Sequence, residues 1–129
     1  MPKTLSVMAG RQLITAERQR QIESEGWTPD HDDQLGIDVL ELGAVCYRDA
    51  AGPDCLLPSQ WPWSEQWWKP KSRQRNLERA GALYQAAADA AERAKDYRRR
   101  DNLLDHVTSC GTLLDSVLEA VAPDPAKAR

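Results

Sequence analysis

The residues best suited to chemistry lie in one short stretch. Between positions 54 and 72 the chain sets Trp61, Trp63, Trp67 and Trp68 beside Lys69 and Lys71, with Arg73 directly after. Indole faces stack on nucleobases, each stack contributing about 1–3 kcal/mol, and lysine or arginine supplies phosphate contacts. Stacking is assigned to Trp63 or Trp67, and phosphate contact to Lys69, Lys71 and Arg73. Trp27 and His31, which lie upstream, complete the candidate ligand set. The competing reading makes the tryptophans a small plug between helices in a chain without Phe. Four buried tryptophans and one functional tryptophan satisfy both.

Two acidic constellations come next. Asp30, Asp32 and Asp33 flank His31, and three carboxylates in a loop could take Mg²⁺, which prefers oxygen ligands. A solvated turn whose Asp side chains cap the following helix is the favoured reading, because Asp is common at such caps. Asp38 with Glu41, and Asp89 with Glu92, each have i, i+3 spacing, which points both carboxylates of a pair the same way from a helix. Two facing pairs could hold Mg²⁺ against a di- or triphosphate. A chain with 20 acidic residues produces such pairs by chance, so they are weak metal candidates and no residue is assigned as catalytic.

The elements that must position these groups are helices. Residues 1–10 have no clear period and read as a flexible leader. Residues 11–25 lack Gly and Pro and place Ile14, Arg18 and Ile22 on one face. With so few strongly apolar residues this helix should lie on the surface, closed by Gly26 in a left-handed cap. Residues 27–33 read as a loop and 34–49 as a second, well-buried helix. Pro58, Pro62 and Pro70 exclude a long helix from the tryptophan segment, which reads as an ordered loop with one helical turn at 64–68, capped by Ser64.

A long helical region opens at Lys71 or Ser72. Leu77, Ala80, Tyr84, Ala87, Ala91, Ala94 and Arg98 form one seam, and Leu103, Val107, Cys110, Leu114, Val117 and Val121 a second. Asp101 and Asn102 could cap a turn between two helices, and one continuous helix is the alternative. Together the seams offer more apolar stripe than a core this size uses, so residues 101–122 read as an oligomerisation or partner helix and the chain as a homo-oligomer. Residues 123–129 read as a disordered tail. No period-2 run suggests a strand, so the fold class is all-α: a small bundle of about four helices within 11–122, with a Trp/Pro-rich ordered loop.

Composition narrows the function classes. The 129 residues fit one domain, and no apolar run approaches the roughly 18–20 residues of a membrane span. The first ten residues do not read as a secretory signal, and Cys46, Cys55 and Cys110 have neither the number nor the spacing of a disulfide framework or zinc site. A net charge of −3 argues against general nucleic-acid binding. A cytoplasmic helical domain is expected.

Residues 17–33, from Glu17-Arg18-Gln19-Arg20-Gln21 through Gly26-Trp27-Thr28 to His31-Asp32-Asp33, resemble, with one residue more before the glycine, the ERQRQ-x-x-x-GWT-x-x-HDD opening of a family of small bacteriophage and prophage proteins. Trp61-Pro62-Trp63, Trp67-Trp68-Lys69-Pro70 and the following Arg75 to Leu83 resemble that family's WPW-x-x-x-WWKP segment and the helix behind it. Glu41 to Tyr47 keeps, in altered form, the Cys-Tyr ending of the family's alanine-rich helix, and residues 101–121 run beyond its usual end. The opening is also distantly similar to MazG-like all-α nucleotide pyrophosphohydrolases. Those enzymes hold Mg²⁺ with EExxE followed by ExxD, where this chain has only Asp38-x-x-Glu41 and Asp89-x-x-Glu92.

The resemblance implies a phage-encoded, non-enzymatic binder that sequesters a nucleotide-derived small molecule, such as a bacterial immune signal, in the cytoplasm of the infected host. It needs no cofactor. Two alternatives stand beside it: a protein–protein inhibitor of a host defence enzyme, and a Mg²⁺-dependent nucleotide pyrophosphohydrolase.

Overall fold

The computed structural model describes residues 2–121 and the side chains of 9–120. Among them are five α-helices and no strand. Helix α1 spans Pro2–Glu25, α2 Pro29–Leu35, α3 Ile37–Asp49, α4 Arg73–Arg93 and α5 Tyr97–Val121. The expected leader is thus helical from Pro2 onward, and the expected tail lies outside the described residues. No helix among the described residues is long and apolar enough to cross a membrane.

Helix α4 is the axis of the bundle, and each of the other four helices packs against it. Its alanines make this possible: Ala80, Ala86, Ala87 and Ala91 are fully buried and present almost no side chain to keep neighbours away. Leu77, Leu83 and Tyr84 fill the spaces left over.

Helix α5 supplies the other half of the core. Leu103, Val107, Cys110 and Leu114 of its seam are 0–1% exposed, inside the same cluster as the α4 alanines. This corrects the reading of 101–122 as a helix without a place in the core. From Leu103 to Leu114 the seam is spent within one chain, because α1 and α4 together cover it. The hairpin between α4 and α5 is present, with its turn at residues 94–96 rather than at Asp101 and Asn102. Lys95 takes the left-handed conformation, φ 61°, and the Asp96 carboxylate accepts the Arg99 N–H at 3.2 Å, capping α5.

Helix α1 was expected on the surface. Its buried face is Ile14, Glu17, Arg18 and Gln21, a stripe at i, i+3, i+4 and i+7 with one apolar member. Each charged side chain of this face meets an ionic partner. Arg18 pairs with Asp32, and Glu17 accepts hydrogen bonds from Arg20 at 2.8 and 2.9 Å and from Arg75 at 2.6 Å. Gly26, φ 73°, ends the helix as anticipated.

The stretch expected as a loop forms α2 instead. Thr28 is its N-cap, accepting the His31 N–H, Pro29 opens the first turn, and Asp30 and Asp32 lie in that turn. Proline and aspartate signal a loop and a helix start alike, which is why the sequence reading missed it. Gly36, φ 92°, divides α2 from α3, so the second expected helix begins at Ile37 and not at 34.

Residues 50–72 form the ordered loop. One 3-10 turn, Glu65–Trp67, falls within the turn predicted at 64–68, although the Ser64 side chain makes no capping bond. Asn76 of α4 ties both ends of the loop: its amide donates to the Ala50 carbonyl at 3.2 Å and the Lys71 carbonyl at 2.9 Å, and accepts the Lys71 N–H at 2.7 Å.

Candidate functional site

The loop closes over the bundle to leave a cleft of about 580 Å³ between α1, α3, α4 and the tryptophan segment. Its aromatic side is built from Tyr47, Trp61, Trp63 and Trp67, with Trp27 at the end of α1. The indoles hold one another edge to face: Trp61 and Trp63 are 5.1 Å apart at 77°, and Trp61 meets Tyr47 at 5.6 Å and 88°. Edge-to-face geometry sets the positive ring edge against the negative face and fixes the wall. Trp63 lies so close to Gly43 of α3 that any side chain there would collide with its ring.

Hydrogen bonds fix the remaining loop indoles. Trp61 Nε1 donates to the Ser64 carbonyl at 3.0 Å, and Trp68 Nε1 to the Cys55 carbonyl at 3.1 Å. Trp68 stands behind the wall, against Tyr47 and Trp61, and does not line the cleft. Trp27, Trp61, Trp63 and Trp68 all pack on the hydrophobic core, while Trp67 is 60% exposed. The plug and the open surface are therefore both present, divided between different tryptophans. Trp27 also stacks on His31, with ring centres 5.7 Å apart and planes at 10°.

The polar side of the cleft comes from α1, through Glu17, Arg20, Gln21 and Glu25. Arg20 spends its guanidinium on Glu17 and, at 3.0 Å, on Glu25. Burial opposes ionisation of Glu17, yet Arg20 and Arg75 outweigh it and hold the carboxyl below its usual range. Arg79 of α4 lies over the Tyr47 ring at 5.4 Å and donates to the Lys69 carbonyl at 2.9 Å. Lys69 Nζ lies 5.9 Å from the centre of the Trp67 ring. Among the described residues neither Lys69 nor Arg79 forms an ion pair with a carboxylate.

Of the residues singled out from sequence, Trp27, His31, Trp61, Trp63, Trp67 and Lys69 line the cleft. Lys71 and Arg73 do not, and Arg73 donates to the Arg48 and Ala50 carbonyls, satisfying the end of α3. The acidic triad is dispersed. Asp32 is wholly buried against Arg18, while Asp33 pairs with Arg93 at 2.8 Å, so the carboxylates clamp α2 to α1 and to α4.

The metal candidates are likewise engaged elsewhere. Asp38 and Glu41 share Arg99 at 2.5 and 2.8 Å, Asp89 accepts from Gln85 at 3.0 Å, and Glu92 pairs with Arg100 at 2.9 Å. No group of three or more His, Cys, Asp or Glu among the described residues could hold a metal ion. The α1 residues, Tyr47 and Arg79 were missed as site residues. The available signal was the i, i+3, i+4 run of charged and amide groups on a helix with too few apolar residues to be held by them.

No family model matches the chain, and no curated protein or solved structure matches it.

Proposed function

We propose that the chain is a non-enzymatic binder of a nucleotide-derived small molecule, taken into the cleft between α1 and the tryptophan loop. The observation that carries this reading is the union of an aromatic wall with two cations lacking carboxylate partners. Arg20 is shared between Glu17 and Glu25, and Lys69 and Arg79 are the cations of the cleft that no carboxylate pairs with, so its charged lining is cationic by one. A flat ring finds indole faces, and a phosphate finds those two cations. The volume is in the usual range of small-molecule sites, about 300–1,000 Å³.

The competing readings have lost the residues that motivated them. The pyrophosphohydrolase needs four carboxylates in one cage, and these four face arginines or an amide. The partner inhibitor was placed on an exposed α5 seam, of which Leu103, Val107, Cys110 and Leu114 are buried in the core. The resemblance of 17–33 and 61–83 to phage and prophage proteins supports a cytoplasmic setting in an infected bacterium, where such a binder removes an immune signal without turning it over.

Tryptophan fluorescence and titration calorimetry with nucleoside monophosphates, cyclic nucleotides and ADP-ribose derivatives test the proposal. Binding should quench the indole emission and release heat. Trp67→Ala should weaken it about tenfold, the loss of one stack, without lowering the melting temperature, because Trp67 does not pack on the core. Absence of heat and quenching across the panel overturns the reading.

A further inference from the structure

The α1 side of the cleft keeps acceptors without partners. Arg20 gives three of its five N–H groups to Glu17 and Glu25. Gln21 lines the cleft at 2% exposure, and its Oε1 has no hydrogen-bond partner. The amide cannot turn round to hide this. Its Nε2 donates to Glu17 Oε2 at 3.5 Å, and a carboxylate only accepts, so the carbonyl end must face away from Glu17. A buried acceptor left unpaired is costly, and a ligand that supplies a donor recovers that cost on binding.

Glu25 stands four residues on, on the same helix face, and lines the cleft as well. Arg20 engages only its Oε1, which leaves Oε2 as a second acceptor. The loop and α4 contribute the opposite chemistry, the two cations. The site is therefore polarised, with acceptors on α1, aromatic faces along the wall, and cations from Lys69 and Arg79.

We infer that, within the nucleotide-binding reading on which this rests, the cleft selects a guanine-type base, whose edge gives two adjacent N–H donors to Gln21 and Glu25. Guanine alone among the common bases carries an N1–H beside an exocyclic amine. Hypoxanthine keeps only the first donor. Adenine puts an unprotonated N1 toward the acceptors, and lone pairs then face lone pairs. Gln21 is in this sense a specificity-determining residue and Glu25 its second acceptor.

Fluorescence titrations with GMP, IMP and AMP, on the full chain at one salt concentration, test it. Affinity should fall in that order, by about tenfold for each donor lost. Gln21→Met, which keeps the shape and removes the acceptor, should bring IMP and AMP to within about threefold of each other and leave GMP about tenfold tighter than both, through Glu25. Glu25→Ala, at an exposed helix end, should bring GMP and IMP together and serves if Gln21→Met fails to fold. Equal affinity of the parent protein for all three ligands, or a Gln21→Met loss that is the same for each, overturns this inference and leaves the broader one standing. Failure of every nucleotide to quench overturns both.

Discussion

At the residue scale, buried charge is the feature that composition concealed. Asp32 is wholly enclosed and Arg18 nearly so, and they pair across α1 and α2. Removing one partner of such a pair strands the other charge away from water. Asp32→Ala should therefore lower unfolding free energy by about 3–5 kcal/mol in urea titrations, a loss far above that of a surface carboxylate. A loss under about 1 kcal/mol would mean that the pair behaves as a surface contact. Asp30 is the control, because no side-chain pair holds it and its exposure is high. Reading Asp30, Asp32 and Asp33 as one cluster was natural, since they are adjacent in sequence. Helical geometry turned them to different neighbours.

At the scale of elements, α1 is held by ionic bonds where helices normally use leucine. That makes its docking sensitive to acid. The Glu17 carboxyl titrates below its unfolded value of 4.5, so its contribution to stability is complete above that pH and is lost as the pH falls through the lower, folded value. Asp33, held down by Arg93, acts in the same direction. The urea midpoint should accordingly drop between about pH 5 and pH 3. Glu17→Gln should be less stable at neutral pH and should lose less across that interval; a variant with the parental acid slope would remove Glu17 from the explanation. α2 teaches a second lesson about elements. Thr28, Pro29 and Asp30 are loop formers by composition, yet in that order they make an N-cap, a fixed first φ and a favourable charge at a helix start.

At the scale of the whole molecule, the alanine-rich α4 explains why a modest chain encloses long apolar seams. An alanine helix is thin, so α1, α3 and α5 draw in around it, and α1 and α5 also cover each other's stripes. Leu114 is fully buried, and Leu114→Ala should destabilise the chain by about 2–5 kcal/mol, as cavity-forming changes do. Because the seam is internal, the melting temperature of that variant should not depend on protein concentration. A melting temperature that rises with concentration would show the seam to be shared between copies.

The sequence by itself determined that the chain is helical, that a left-handed glycine ends the first helix, that a long helical region opens at Lys71 or Ser72, and that the aromatic content is one ordered device in a proline-rich loop. These follow from local rules: period, capping and the geometry of proline. Only the tertiary structure decided which tryptophans are wall and which is open, that α1 contributes the polar side of the cleft, and that the second seam is core. Those outcomes depend on which faces meet across the bundle. A side chain at one end of the sequence has no local sign of the cation or cavity that awaits it at the other.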